Sequence, residues 1–181
     1  MLARHRLRQV VNAFNGSTIA GVGVALAGGT FAGGGRLSSG PEGLLTATGY
    51  RLAVPAAPAF TVGNVIIVSG RRAAPVPPAV FAHEARHATQ YAWCGGLLML
   101  PLYFAAAGVS WALCGDFGAW NVFERQAGLA DGGYADRSVR TALAGTFRRR
   151  TVRPPQAAGA VPSAPVPGPA GPAGATATPS R

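Results

Sequence analysis

Apolar and polar positions near the N-terminus follow a helical pattern. Leu7, Val10, Val11 and Phe14 recur at spacings of three and four residues, which is the period of a helix with one apolar face. This spacing predicts a short amphipathic helix over residues 2–14. The next segment, 19–35, is uncharged and rich in Gly and Ala. It has neither the glycine register nor the lysine of a phosphate-binding loop, which argues against a nucleotide site.

The pattern changes to that of strands in the next part of the chain. Segments 44–54 and 60–68 are rich in β-branched and aromatic residues, and a Pro- and Ala-rich connection separates them. We predict two adjacent antiparallel strands. Gly63 and Asn64 interrupt the second segment and indicate a bulge or a tight turn there.

Helical signals follow the strands. Prolines at 77 and 78 fit the first turn of a helix, and the pattern predicts that this helix continues to Pro101. A second helix is predicted over 102–113, and a third from Ala119 to Gly132. Two strands followed by three helices predict an α+β fold, with a small antiparallel sheet or hairpin ahead of the helices.

Composition limits the classes of function. The chain has 181 residues, of which 49% are apolar and only 12% are charged, and all 16 basic residues are arginine. This pattern resembles the residue usage of a GC-rich genome, so the net charge of +10 is weak evidence of function and we expect no nucleic-acid partner. Cys94 and Cys114 are too few for a disulfide framework. We predict a cytoplasmic protein, with membrane association left open, because polar residues interrupt the apolar N-terminus where a signal peptide would lie.

One motif carries metal chemistry. His83, Glu84 and His87 form H-E-x-x-H inside a predicted helix. Residues i and i+4 share a helix face, so both imidazoles can bind one metal ion, and Glu84 lies on the neighbouring edge. The alternative is a helix whose polar face has this order by chance, with both histidines solvated or hydrogen-bonded.

A catalytic zinc site needs a third protein ligand. His5 is the only other histidine and lies in the basic N-terminal segment. Among the downstream carboxylates, Glu124 alone lies well inside a predicted helix, and the small Ala127 one turn later allows that helix to approach the first. Glu124 is therefore the predicted ligand, ahead of Asp116. Cys94 lies too far along the first helix to join them.

The run H-E-A-R-H-A-T-Q-Y, an apolar stretch and then F-E-R-Q-A resembles the gluzincin metallopeptidases, and within them a family of small bacterial minimal gluzincins. The resemblance covers about residues 44–134. It implies a minimal zincin-like fold in which His83, His87 and Glu124 bind zinc, Glu84 is the general base, and the substrate is a peptide or protein. Larger gluzincins of the CAAX-protease type have an Asp directly after E-x-x-A. Gly128 stands there in this chain, so support for a histidine ligand is expected from elsewhere.

Peptide hydrolysis also needs a hydrogen-bond donor for the oxyanion. Tyr134 and Tyr91 are the candidates, with an ordinary half-buried tyrosine as the alternative for each. The predicted domains are an N-terminal amphipathic and Gly-rich segment (1–36), a zincin-like metal-binding domain (37–147) and a disordered basic tail rich in Pro and Ala (148–181).

The uncharged stretch 92–115 leaves two arrangements open. A membrane-spanning helix would separate His87 from Glu124 by about 30 Å of hydrocarbon. Two helices folded back at Pro101 would instead return Glu124 to the histidines, and one face of that hairpin could rest on a lipid surface near its aromatic residues: Trp93, Tyr103, Trp111 and Trp120. The alternative function is accordingly a non-enzymatic, membrane-associated protein whose metal site is vestigial or purely structural.

Overall fold

Two helices, four strands and three further helices follow one another in a computed structural model that describes residues 2–32, 34–55, 57–71 and 76–139. The α+β class is confirmed at this level. The elements in chain order are α1 (Ala3–Phe14), α2 (Ser17–Ala27), β1 (Leu37–Ser39), a 3-10 turn (Pro41–Gly43), β2 (Leu45–Tyr50), β3 (Ala59–Val62), β4 (Val65–Ser69), α3 (Pro78–Trp93), α4 (Met99–Cys114) and α5 (Val122–Ala127).

The strands form one mixed sheet of order β1-β2-β4-β3. The predicted second strand is a hairpin, β3 and β4, which turns at Gly63 and Asn64. The predicted antiparallel pairing of the two segments is wrong, because β2 pairs with β4 in parallel and β3 lies at the edge. All four residues of Val65–Val68 are buried, and such a continuous apolar run favours the central position, where both faces are covered.

Helices cover the two faces of this sheet. Ile67 belongs to a buried cluster with Ala25 of α2, whereas Ile66 belongs to a second cluster with Ala88 of α3. The sequence pattern did not predict α2. Its backbone lies against β3 at Gly21, where an added Cβ would be 2.3 Å from the Val62 carbonyl oxygen. The glycines of this segment therefore allow close helix–sheet packing rather than phosphate binding.

The break between α3 and α4 differs from the prediction. The first helix ends at Trp93 rather than at Pro101, because Gly95 and Gly96 have φ of +73° and +89°, values that end a right-handed helix. Pro101 lies in the first turn of α4, where a missing N–H disrupts no helical hydrogen bond. The polypeptide thus changes direction earlier than the proline suggested.

The predicted third helix is shorter than expected. α5 begins after Asn121, whose side-chain oxygen accepts a hydrogen bond from the Phe123 N–H at 3.0 Å, as an N-cap does. It ends at Ala127 because Gly128 has a φ of +89°. Turns replace the predicted helix from there to Gly133.

Within the described residues, no single helix is both long and apolar enough to cross a membrane. α1 and α2 together have the length and composition of a membrane segment, but they are bent by 73° relative to each other. The two cysteines are not bonded to each other, and Cys114 is buried. The predicted tail, 148–181, lies outside the described residues.

Candidate metal centre

Three predicted ligands meet between α3 and α5. His83 and His87 lie one turn apart on α3, and Glu124 lies in the first turn of α5. Their ligand atoms are within 4.8 Å of one another, and all three side chains are buried. Glu124 Oε2 is 3.1 Å from His83 Nε2 and 3.6 Å from His87 Nε2, and the two Nε2 atoms are 3.0 Å apart.

Hydrogen bonds at the far side of each ring fix the histidine tautomers. His83 Nδ1 lies 3.0 Å from the carbonyl oxygens of both Ala127 and Gly128. Carbonyls only accept, so this nitrogen carries a proton and Nε2 carries a lone pair in the neutral ring. His87 Nδ1 lies 2.8 Å from Gln90 Oε1. The Gln90 amide nitrogen donates to a backbone carbonyl at 2.9 Å, so its oxygen is the acceptor and His87 Nε2 is also unprotonated.

When both imidazoles are neutral, three hydrogen-bond acceptor atoms point toward one position. Both Nε2 lone pairs face Glu124 Oε2, which is buried and has no hydrogen-bond donor among the described residues. Three converging acceptors without a proton repel one another, and a buried carboxylate without a donor is costly. A cation between them removes both penalties. The donor set of two imidazoles and one carboxylate, with each imidazole oriented by a second hydrogen bond, fits a divalent zinc ion.

A proton can take the place of a cation in this site. Burial acts to lower the pKa of His83, but its contact with Glu124 outweighs burial and raises that pKa. Burial acts to raise the pKa of Glu124, yet hydrogen bonds from the protonated forms of His83 and His87 bring it down to about 2. Metal and protons are expected to compete for the same lone pairs.

Tyr103 completes the surroundings of Glu124. Its hydroxyl, from α4, donates a hydrogen bond to Glu124 Oε1, the oxygen that faces away from the histidines. Burial and then the nearby carboxylate raise the pKa of Tyr103, so it stays a donor. Each Glu124 oxygen therefore has a separate role, with Oε1 held by Tyr103 and Oε2 left for a metal.

Glu84 lies on α3 next to the ligands but faces the sheet. Its carboxylate oxygen Oε2 accepts a hydrogen bond of 2.8 Å from the Thr61 hydroxyl of β3. The side chain is buried, and burial raises its pKa. A carboxylate with a raised pKa accepts a proton more readily near neutral pH, which is the property a general base needs.

Arg86 and His83 of α3 contact the C-terminal end of α5 and the loop after it. Arg86 donates to the Ala127 carbonyl and, at 2.8 Å, to Asp131. The backbone carbonyls of Ala127 and Gly128 both accept from His83 Nδ1, so backbone rather than a carboxylate orients this ring. Gly132 lies directly beside this ring, since an added Cβ would be 2.4 Å from His83 Cε1.

The centre opens into a cavity of about 500 Å³. Apolar side chains of the segment before β3, of β3 and of α4 form much of its wall. Its polar lining includes Thr61, His83, Glu84, His87, Tyr103, Glu124 and Tyr134. Burial raises the pKa of Tyr134 to about 12, so its hydroxyl is protonated at neutral pH. Tyr91 also lines the cavity, but its ring is 2% exposed and belongs to the core cluster of the sheet and α2.

The other candidates lie elsewhere. His5 Nε2 is 3.4 Å from Glu42, and Asp116 accepts hydrogen bonds from the backbone N–H groups of Gly118 and Ala119 at 2.9 Å. Cys94 packs against the core cluster that contains Tyr91. None of these side chains belongs to the metal-ligating group that the described residues form.

Sequence reasoning missed three residues of the site: Thr61, Gln90 and Tyr103. Gln90 had a detectable signal, because it follows His87 by three residues and so shares its helix face. Tyr103 was considered only as an aromatic side chain and not as a hydrogen-bond donor. Thr61 carries no local signal, since only the pairing of β3 with β4 and the packing of α3 bring it to Glu84.

Comparison of the chain with protein-family models, with curated proteins and with solved structures finds no significant match. The functional argument therefore rests on the residues and their geometry.

Proposed function

We propose that this protein is a zinc-dependent metallopeptidase. The observation that supports it is the convergence of His83 Nε2, His87 Nε2 and Glu124 Oε2 within 4.8 Å, buried and without a shared proton in the neutral state. Three protein ligands and an open cavity beside them are the pattern of a catalytic zinc site rather than of a closed structural one. We also propose that the HExxH helix, the glutamate helix and the edge strand form a minimal zincin-like arrangement.

A zinc ion in this site would supply Lewis acidity, which polarises a substrate carbonyl and makes water a nucleophile at neutral pH. His83, His87 and Glu124 would hold the ion, and Gln90 and the backbone of Ala127 and Gly128 orient the two imidazoles. The pre-oriented rings need little rearrangement when the ion binds.

Glu84 takes the proton of the attacking water and later passes it to the leaving amine. Thr61 keeps its carboxylate in one orientation through the 2.8 Å hydrogen bond. Tyr134, a protonated hydroxyl that lines the same cavity, is the candidate donor to the carbonyl oxygen as negative charge develops there.

The substrate is a peptide or protein segment in extended form. β3 is an edge strand of the sheet, and its residues Phe60, Thr61 and Val62 line the cavity. An extended peptide can add to such an edge by main-chain hydrogen bonds. The apolar wall then receives its side chains, because apolar groups gain about 25 cal/mol for each Å² removed from water.

Metal analysis combined with Glu84→Gln tests the proposal. We expect about one zinc per chain, lost in His83→Ala. Glu84→Gln should retain zinc and lose hydrolysis of a fluorogenic peptide library, because the amide cannot take a proton. Glu42→Gln is the matched control, since Glu42 lies near His5 and Arg8 outside the cavity.

Two results would contradict the proposal in different ways. A purified protein that binds no zinc has no such site. A protein that binds zinc in His83-dependent fashion but hydrolyses no peptide has the structural metal site of the alternative function.

A further inference from the structure

α1 buries two polar side chains and exposes several apolar ones. Arg8 and Asn12 are 5% and 0% exposed, whereas Phe14 is 90% exposed and Leu7 and Val10 are also exposed. Both buried side chains make internal hydrogen bonds: Arg8 donates to the Glu42 carbonyl at 2.7 Å, and Asn12 donates to the Ala88 carbonyl at 2.8 Å. The orientation is therefore fixed by specific hydrogen bonds, and it leaves the apolar stripe of the helix without a protein partner among the described residues.

α4 also exposes large apolar side chains to the surface. No charged residue occurs from Cys94 to Gly115, and the buried residues of this helix are few and mostly small. Its exposed large side chains are Leu102, Phe104, Val109 and Trp111. A helix on the surface of a water-soluble protein normally has charged residues on its outer side.

These apolar elements adjoin one another. The loop after α1 touches the loop after α3, since an added Cβ on Gly96 would lie 2.7 Å from Asn15 Cγ. The exposed side chains at this junction are Phe14, Trp93, Leu97 and Leu98. We call the exposed apolar residues of α1, of this junction and of α4 the apolar face.

Charge identifies the partner. Arg4 and Arg6 are exposed on the first turns of α1, beside Leu7, and neither has a carboxylate within ion-pair distance in the described parts of the chain. Exposed tryptophans border the apolar residues, with Trp93 85% exposed. Apolar helices edged by arginine and tryptophan fit the interface of an anionic bilayer, where the ring and the guanidinium lie at headgroup level.

We propose that the apolar face docks the protein onto an anionic lipid bilayer. This inference does not depend on the proposed peptidase activity, because none of the zinc ligands belongs to the apolar face.

Flotation of the full-length protein with vesicles tests the docking. We expect it to float with phosphatidylcholine vesicles that contain about one third phosphatidylglycerol, and more weakly with pure phosphatidylcholine. Phe14→Asp and Val109→Asp should each lower the bound fraction about tenfold or more, because each removes an apolar side chain from the lipid interface and adds a charge there. Leu52→Asp is the matched control, an exposed leucine outside the apolar face, and should bind as the wild type does. Arg4→Gln with Arg6→Gln should remove the preference for anionic vesicles.

Thermal unfolding of each variant verifies that it is folded. Absence of flotation by the folded wild type, or an equal loss in Leu52→Asp, would overturn the proposal. Sedimentation velocity gives an independent outcome. A dimer that Phe14→Asp dissociates, in a protein that binds no vesicles, would show that a second copy covers this face and would also overturn it.

Discussion

Replacing Glu124 with Gln separates metal binding from folding. The substitution keeps the shape of the side chain, and its Oε1 can still accept the hydrogen bond from Tyr103. At the other position an amide N–H replaces Oε2, the atom 3.1 Å from His83 Nε2. An anionic ligand is lost, so zinc affinity should fall by at least about tenfold.

The size of the effect follows from binding linkage. Zinc at a thousand times its Kd stabilises the wild type by about 4.1 kcal/mol, and a tenfold weaker site at the same concentration gains about 2.7 kcal/mol. For a compact unit that spans Met1–Leu143, each kcal/mol shifts Tm by about 3 °C. The zinc-induced shift should therefore be about 12 °C in the wild type and at most about 8 °C in Glu124→Gln.

Without metal, the same substitution should not lower the Tm of the protein. Above the raised pKa of His83, once the imidazoles are neutral, Glu124 Oε2 faces two lone pairs without a donor. In the Glu124→Gln variant the side-chain amide N–H would donate to one of these lone pairs, and the buried charge would be gone. The metal-free Tm of Glu124→Gln should therefore equal or exceed that of the wild type.

Differential scanning fluorimetry with and without zinc measures both quantities. Asp116→Asn is the control, because Asp116 accepts backbone hydrogen bonds at the Gly118 turn and lies outside the metal group. It should leave the zinc-induced shift unchanged. A full shift in Glu124→Gln, together with a lost shift in Asp116→Asn, would refute the choice of carboxylate. A metal-free Glu124→Gln that is much less stable would refute the assignment of lone pairs.

Four other changes follow from the same geometry. Zinc affinity should fall as the pH falls through the raised pKa of His83, because the proton occupies the metal's lone pair, and competition titrations at several pH values measure this. Gly132→Ala should weaken zinc binding in the same titration, since its Cβ would displace the His83 ring, whereas Gly23→Ala, in open space on α2, should not. Thr61→Val removes a hydrogen bond that lowers the pKa of Glu84, so the acidic limb of the kcat/KM profile should move to higher pH with zinc content unchanged. Truncation after Arg153 should preserve the zinc-induced Tm shift, because every ligand precedes it, and loss of cooperative unfolding would contradict this.

The ligands were predictable because a helix fixes relations between near neighbours. The period of 3.6 residues puts His83 and His87 on one face whatever surrounds them. Helix periodicity could not identify Glu124 as the third ligand. It was chosen by elimination, because the chain has only six carboxylates. Tyr134 was proposed from its chemistry alone, and the structure shows that it lines the same cavity as the three ligands.

Elements whose ends depend on distant contacts were not predictable in the same way. Pro101 is a stronger local break signal than Gly95 or Gly96, yet proline is tolerated in a first helical turn, and the glycines turn the chain. Strand order depends on which segment the helices bury on both faces, and local pattern does not contain that information. Likewise, the spacing in α1 established that its apolar residues share a face, but only Arg8 and Asn12 determine that this face points outward.

The metal centre and the fold of the C-terminal part depend on each other. α5 has only six residues, too few for a stable helix without tertiary contacts. Hydrogen bonds from Arg86 and Gln90 of α3 reach backbone carbonyls at its two ends, Ala127 and Phe123. The His83 ring bonds to that same Ala127 carbonyl, so the contacts that dock α5 also set the tautomer of a ligand. Glu124 then adds a third link through any bound ion. The end of the helix that carries Glu124 therefore supplies the acceptor that orients His83, and no carboxylate is needed at position 128 for this purpose.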